Sequence, residues 1–279
     1  AAYQHLFALA VEFARAPRAM SLDGWSSHVA LGEVEEALAI LSRHEPCILV
    51  TGHCGNWELQ GAALGALGFR LHAVYRPLDV RSLDRWVQDS RARHGIYLVD
   101  KAGATTRLPE LLAAGETIAF IADQNGGRKG MFVPFFDRLA SAYKSIALLA
   151  MRFNAPIICG HTHRLGDLRS PKFQYRLDCI DIIRPDEWTG QPDPQFYITA
   201  RYRRAIETMV RRAPMQYLWM HRYWKSRPKH EAEGRAFPAA LSEKIRALPW
   251  MTEEEAQRIE ARSSVDAELL AAEQEARRR

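Results

Sequence analysis

Residues 47–60 read CILVTGHCGNWELQ, and the order of residue types in this stretch decides the fold. Ile48-Leu49-Val50 is a short apolar run of the kind that makes a buried strand. Gly52 breaks the run, Gly55-Asn56 supplies a turn, and Trp57-Glu58-Leu59 begins a helical pattern. His53 therefore falls at the carboxyl end of a strand and Glu58 in the first turn of the next helix. On one continuous helix residues at this spacing face different ways, but a strand–turn–helix bend can fold the carboxylate back onto the imidazole. A carboxylate on one ring nitrogen fixes the tautomer and raises the basicity of the other, which suits a general base for a hydroxyl. Open α/β sheets place their sites beyond the carboxyl ends of the strands. A hydrogen-bonded structural histidine fits the same spacing, so the choice passes to the rest of the chain.

Downstream the pattern alternates: strand over 71–75, helix over 79–94, strand over 96–99, helix over 105–114, strand over 117–122. Such alternation through short loops predicts an α/β fold, a mostly parallel central sheet flanked by helices. A helix over 143–153 and a buried strand over 156–160 continue it, and 173–183 alternates as an antiparallel strand or hairpin would. Upstream, Leu6, Leu9, Ala10 and Phe13 form a helical stripe expected to pack on the core, with a membrane interface as the other placement. A helix is expected over 33–43, a loop over 185–194 and a helix with a basic face over 196–212. Pro134 argues against a regular central strand over 132–136. Residues 252–279 read as an exposed or partner-packed helix that opens on a Thr252/Glu255 capping box.

At 279 residues with 47% hydrophobic and 25% charged side chains, the chain is globular in composition and long enough for a full core. Its longest apolar runs, such as 146–151, fall short of the ~20 residues a membrane span needs, and no secretory leader is legible. Four cysteines without a Cys-x-x-Cys pair argue against a zinc site or disulfide framework and fit a reducing compartment. His161 and His163 share one face of a strand, but no third ligand is suggested, so no metal is expected. The net charge of +5 and basic clusters at 201–204, 211–212 and 222–225 suggest an anionic partner. The 123–130 loop, DQNGGRKG, is a plausible anion or polar-headgroup loop without the ending of a Walker motif.

Three blocks in order, TGHCGNWE (51–58), ADQNGGRKGMFVPFF (122–136) and QYLWMHRYWKSRP (216–228), resemble the bacterial lipid A biosynthesis acyltransferases, within the glycerolipid acyltransferase superfamily. Val74-Tyr75-Arg76-Pro77 and Arg91-x-x-x-Gly95 are similar to family features, and the resemblance covers roughly residues 1–230. It implies an acyltransferase domain over 1–230 and a helical C-terminal extension over 231–279, residues 1–20 following a membrane anchor upstream. It also implies an O-acyltransferase at the cytoplasmic face of the inner membrane. Such an enzyme moves a fatty acyl chain from acyl carrier protein or coenzyme A to a hydroxyl of an anionic membrane lipid, without metal or cofactor.

By motif match His53 would be the base and Glu58 its orienting carboxylate. Backbone N–H groups at Gly55 and Asn56 are the expected oxyanion donors. Arg76 and Arg91 are expected at phosphate or sugar oxygens, with Lys144 and Arg222 as further basic contacts and Asp123 and Gln124 at acceptor hydroxyls. Phe132, Phe135 and Phe136 are expected to line an acyl channel, and 219–225 suits a lipid–water interface. The chain departs from the family at Phe136-Asp137, where a glycine often follows the phenylalanine, at Tyr143 before Lys144, and at Tyr223 after Arg222. These departures bear on the acceptor lipid. A thioesterase using the same dyad and a basic nucleic-acid-binding module are the rival readings; no nucleic-acid fold signature appears.

Overall fold

The computed structural model describes residues 2–278 apart from 22, 23, 169 and 171, so Arg279, where the expected C-terminal helix was to end, lies outside the described residues. The strands are β1 (Val29–Leu31), β2 (Cys47–Thr51), β3 (Leu71–Tyr75), β4 (Ile96–Asp100), β5 (Thr117–Ile121), β6 (Met131–Pro134), β7 (Leu139–Ala142), β8 (Ile157–Leu165) and β9 (Gln174–Ile183). The first six helices are α1 (Ala2–Ala19), α2 (Glu35–Leu41), α3 (Trp57–Ala66), α4 (Arg81–Ala92), α5 (Ala104–Ala113) and α6 (Lys144–Phe153). The remainder are α7 (Pro185–Thr189), α8 (Pro194–Arg212), α9 (Lys229–Ala232), α10 (Ala239–Arg246) and α11 (Glu253–Arg278).

Among the described residues a seven-stranded sheet runs in the order β1-β9-β8-β2-β5-β3-β4. β2 pairs in parallel with both β5 and β8, and β3 in parallel with β4 and β5. β9 is antiparallel to β8, as the alternation over 173–183 suggested. Successive side chains of a strand point to opposite faces, and β2 is apolar on both. Ile48 and Val50 join a cluster with α5, α6 and α8; Cys47 and Leu49 join another with α2 and α3. Each wholly buried Ile or Leu in such a layer contributes about 1.5–3 kcal/mol. The result is a sheet covered on both faces.

Four local features add to the sequence reading or differ from it; the absence of a central strand at Pro134 is as expected. β1, too short to stand out in the sequence, adds to the sheet edge in parallel with β9. Met131–Pro134 pairs with Leu139–Ala142 in a separate two-stranded ribbon, with Pro134 at its end, a position where a proline costs no ladder bond. Phe136 and Asp137 turn the ribbon with φ of 54° and 51°, the left-handed pair whose twist suits a tight hairpin. Part of the loop expected over 185–194 is the short helix α7, because Pro185 opens it and Glu187 accepts the Arg184 N–H at 2.6 Å.

The fourth concerns α1. Leu9 is buried as expected, but Leu6 and Ala10 face outward. The inward positions are taken by His5 and Glu12. Glu12 binds Arg164, accepts the Tyr175 hydroxyl at 2.6 Å and accepts from Asn56 Nδ2 at 3.1 Å. The far end of the β8–β9 hairpin presents a buried guanidinium, and a buried charge demands a counter-charge. That demand outweighs the apolar stripe in orienting the helix.

Candidate active site

β2 and β5 are neighbours in register, with Thr51 opposite Ile121 and the Ala122 N–H continuing the ladder to Thr51 at 2.8 Å. Two chain ends therefore leave the sheet side by side, one carrying His53 and the other Asp123. Asp123 is completely buried, and its Oδ1 lies 2.7 Å from His53 Nδ1. Its Oδ2 accepts the His53 backbone N–H at 2.8 Å. Burial opposes ionisation of this carboxyl, but His53 and the nearby Arg203 outweigh burial and hold it below the usual carboxylate range. Nδ1 thus carries the proton toward Asp123, and Nε2 is the nitrogen left to take one from a substrate.

The surroundings of the imidazole are aromatic. Trp57 meets it edge-on at 4.9 Å between centroids, and the His221 ring lies at 4.6 Å. Burial, reinforced by His53, depresses the pKa of His221 and keeps that second ring neutral. Below Asp123, the buried Arg203 donates to the Ala122 and Asp123 carbonyls at 3.2 and 2.5 Å. Its guanidinium rests 4.1 Å from the centre of the Phe135 ring.

Glu58 does not hold His53. The expected His53/Glu58 pair is not brought together: Asp123 occupies Nδ1, while Glu58 accepts from Arg91 Nη2 at 2.6 Å and Nε at 3.0 Å. It also accepts the Trp57 indole N–H at 3.1 Å. Asn56 caps α3 by accepting the Leu59 N–H at 3.1 Å. The helix so started aims Glu58 at α4, where the guanidinium fork matches a carboxylate.

The N–H groups expected as oxyanion donors have backbone partners. The Gly55 N–H is spent on the Gln216 carbonyl at 2.9 Å and the Asn56 N–H on the Thr162 carbonyl at 2.8 Å. Gly55 is required for packing: its φ is +68°, and a Cβ there would sit 1.9 Å from the Thr162 oxygen. Phe135 is wholly covered and backs Arg203, whereas Phe132 and Phe136 are half-buried. Arg76, Lys144 and Arg222 are exposed, Arg76 beside Asp79 at 3.3 Å, and Gln124 is half-buried. Of the 219–225 segment, Trp219 and Met220 are exposed whereas Tyr223 is buried.

From sequence alone Asp123 is expected at an acceptor hydroxyl, and Arg203, His221 and Trp57 are not singled out. The position of Asp123, just beyond a strand, was the available signal; nothing local marks Arg203 within the basic run of α8. His161 and His163 stack at 5.3 Å, and burial pushes His161 down to about 3. Among the described residues no cluster of three or more His, Cys, Asp or Glu is placed to hold a metal ion. A polar depression lined by Asp137, Arg204, Glu207, Arg211 and Arg258, among others, does not include His53.

The family model described as bacterial lipid A biosynthesis acyltransferase matches residues 3–226. The chain is 32% identical over 190 residues to the lipid A biosynthesis palmitoleoyltransferase of Escherichia coli (strain K12), covering 66% of this chain and 58% of that one. It is 28% identical over 173 residues to the lipid A biosynthesis lauroyltransferase of the same strain, covering 60% and 53% respectively. With a lipid A biosynthesis acyltransferase of Haemophilus influenzae it shares 30% over 208 residues, 73% of this chain and 62% of the relative. The matches thus span between half and two thirds of the relatives' length.

Proposed function

The chain belongs to the bacterial lipid A biosynthesis acyltransferase family, and from that premise we propose that it transfers a fatty acyl group from a thioester to a hydroxyl of a lipid A precursor, with His53 as general base. The observation that carries this reading is the bond between His53 Nδ1 and the buried Asp123 at 2.7 Å, at the carboxyl end of two parallel strands. Relatives named for palmitoleoyl and lauroyl transfer support a fatty acyl cargo.

In this mechanism the acceptor hydroxyl gives its proton to His53 Nε2 as its oxygen attacks the thioester carbonyl. The carbon–sulfur bond breaks, and the departing thiolate takes the proton back from the imidazolium. Asp123 holds the tautomer and stabilises the transient positive ring, as in other carboxylate–histidine bases. Glu58 acts through others: it fixes Trp57 against the imidazole and binds Arg91. Acyl carrier protein or coenzyme A is the donor in this proposal, and no cofactor takes part. The reading includes an acyltransferase region over 1–230 and a helical extension over 231–279, supported by a family match that ends at residue 226. The enzyme works against the cytoplasmic leaflet of the inner membrane. Among the described residues no helix is long and apolar enough to cross a membrane.

The test is acyl transfer to a lipid hydroxyl by the His53→Ala protein. Loss of turnover in a folded protein is expected; near-normal turnover would remove the mechanism. Free fatty acid released at the same rate with and without acceptor would assign the dyad to a thioesterase instead.

A further inference from the structure

Helix α1 has its polarity reversed. Its inward face carries His5, on the Gly55 carbonyl at 3.1 Å, and the ion-paired Glu12. Its outward face carries Tyr3, Leu6, Phe7, Ala10 and Val11. Tyr3 is 79% exposed and Phe7 71%. Phe13 meets Trp86 edge-on at 5.0 Å, which joins this face to a second one. There, residues 76–83 are exposed without a break, and Leu78, Val80, Leu83 and Trp86 stand outward on the approach to α4 and its first turns. Single exposed apolar side chains are ordinary; a contiguous set on two touching elements is not.

The charges around the patch point to its occupant. Asp79 is beside Arg76, and Asp84 is turned to the Leu78 N–H and to Gln88. Arg81 and Arg85 stand exposed among the apolar residues, and beyond them the exposed Asp89 is followed by the exposed Arg93. An apolar helix face edged by guanidinium groups suits an anionic lipid surface. A symmetric contact with a second copy would set those arginines against their own kind. Both elements also reach the active site. α4 supplies Arg91 to Glu58, and α1 packs on the turn Pro214–Gln216, which takes the Gly55 N–H.

We propose that the outer sides of α1 and of the 76–86 segment seat the protein on an anionic lipid bilayer, with the mouth of the His53 site at the membrane surface. The inference rests on the proposed function, since an acceptor held in a membrane is what gives such seating its use.

Flotation with the whole chain, without acyl donor, tests it. The probes are vesicles of phosphatidylethanolamine with one quarter phosphatidylglycerol, and vesicles of phosphatidylcholine alone. Phe7→Ser/Val11→Ser/Leu83→Ser should weaken attachment to the anionic vesicles at least about tenfold, from the lost apolar burial. Arg81→Glu/Arg85→Glu should weaken it by about fivefold or more per site at low salt, with little change on phosphatidylcholine. Circular dichroism should match the parent protein in both variants. Parent-like flotation of the triple-serine protein overturns the proposal. So does a solution dimer that the serines convert to monomer with flotation intact. A parent protein that floats as described yet acylates no detergent-dispersed lipid hydroxyl overturns the proposed function and leaves the surface standing.

Discussion

Asp123 and Glu58 stand at the same end of the sheet, one behind His53 and the other bound to its neighbour Trp57, and the fold treats them differently. Asp123 is wholly buried and spends both oxygens on His53, one on the ring and one on the backbone. Glu58 keeps 19% of its side chain exposed and spends its oxygens on Arg91 and Trp57. A carboxylate without water is a strong electrostatic partner for an imidazolium; one that is already paired to a guanidinium has little charge left to lend. Proximity in sequence favours Glu58, and proximity across the sheet favours Asp123. The difference separates a group that acts on the reacting base from one that shapes the walls around it.

The comparison breaks most readily at Asp123. Asp123→Asn keeps the shape but can leave the ring in the wrong tautomer, and kcat should fall about 10³–10⁴-fold in a continuous thioester assay, as for other carboxylate–histidine pairs. Next comes Arg203→Met. Without the guanidinium the Asp123 carboxyl rises, so the acid limb of the kcat/KM profile should move to higher pH, with about a 10²-fold loss at neutral pH. Glu58→Gln should cost less, about tenfold, with the acid limb unmoved, because it loosens Trp57 and Arg91 without touching Nδ1. A loss as large as that of Asp123→Asn would make the two carboxylates equivalent in their effect on the base.

The smallest effect concerns the scaffold. His5 is pushed down to about 4, chiefly by burial. Above pH 6.5 it is neutral in both the folded and the unfolded chain. Between pH 6.5 and about 4 the unfolded chain takes a proton that the folded one refuses, so stability falls as pH falls, by at most about 1.4 kcal/mol per pH unit. Urea midpoints at pH 7 and pH 5 should draw closer together in His5→Gln, with turnover at pH 7 retained.

What the sequence shows follows from the range of the interactions involved. The bend at 47–60 is legible because an apolar run, a glycine and a capped helix lie within a few residues of each other. The β8–β9 hairpin is legible from its alternation. β7 is not, since Leu-Ala-Ser-Ala has no β-branched side chain and finds its place only by pairing with β6. The partner of His53 is hidden for a related reason: that β5 lies beside β2 is a fact of strand order, and it brings together residues 70 positions apart. The reversed face of α1 depends on Arg164 and Tyr175, more than 150 positions away. Chemistry of residue type is local, whereas its assignment to one partner is made by the sheet.

The central claim is that Asp123, not Glu58, holds the proton on Nδ1 of His53. Nitrogen-15 NMR of labelled histidine reads this directly, without substrate. The expected result is a His53 Nδ1–H tautomer with a downfield ring proton that survives Glu58→Gln and is lost in Asp123→Asn. The reverse pattern, loss with Glu58→Gln and survival with Asp123→Asn, would contradict it.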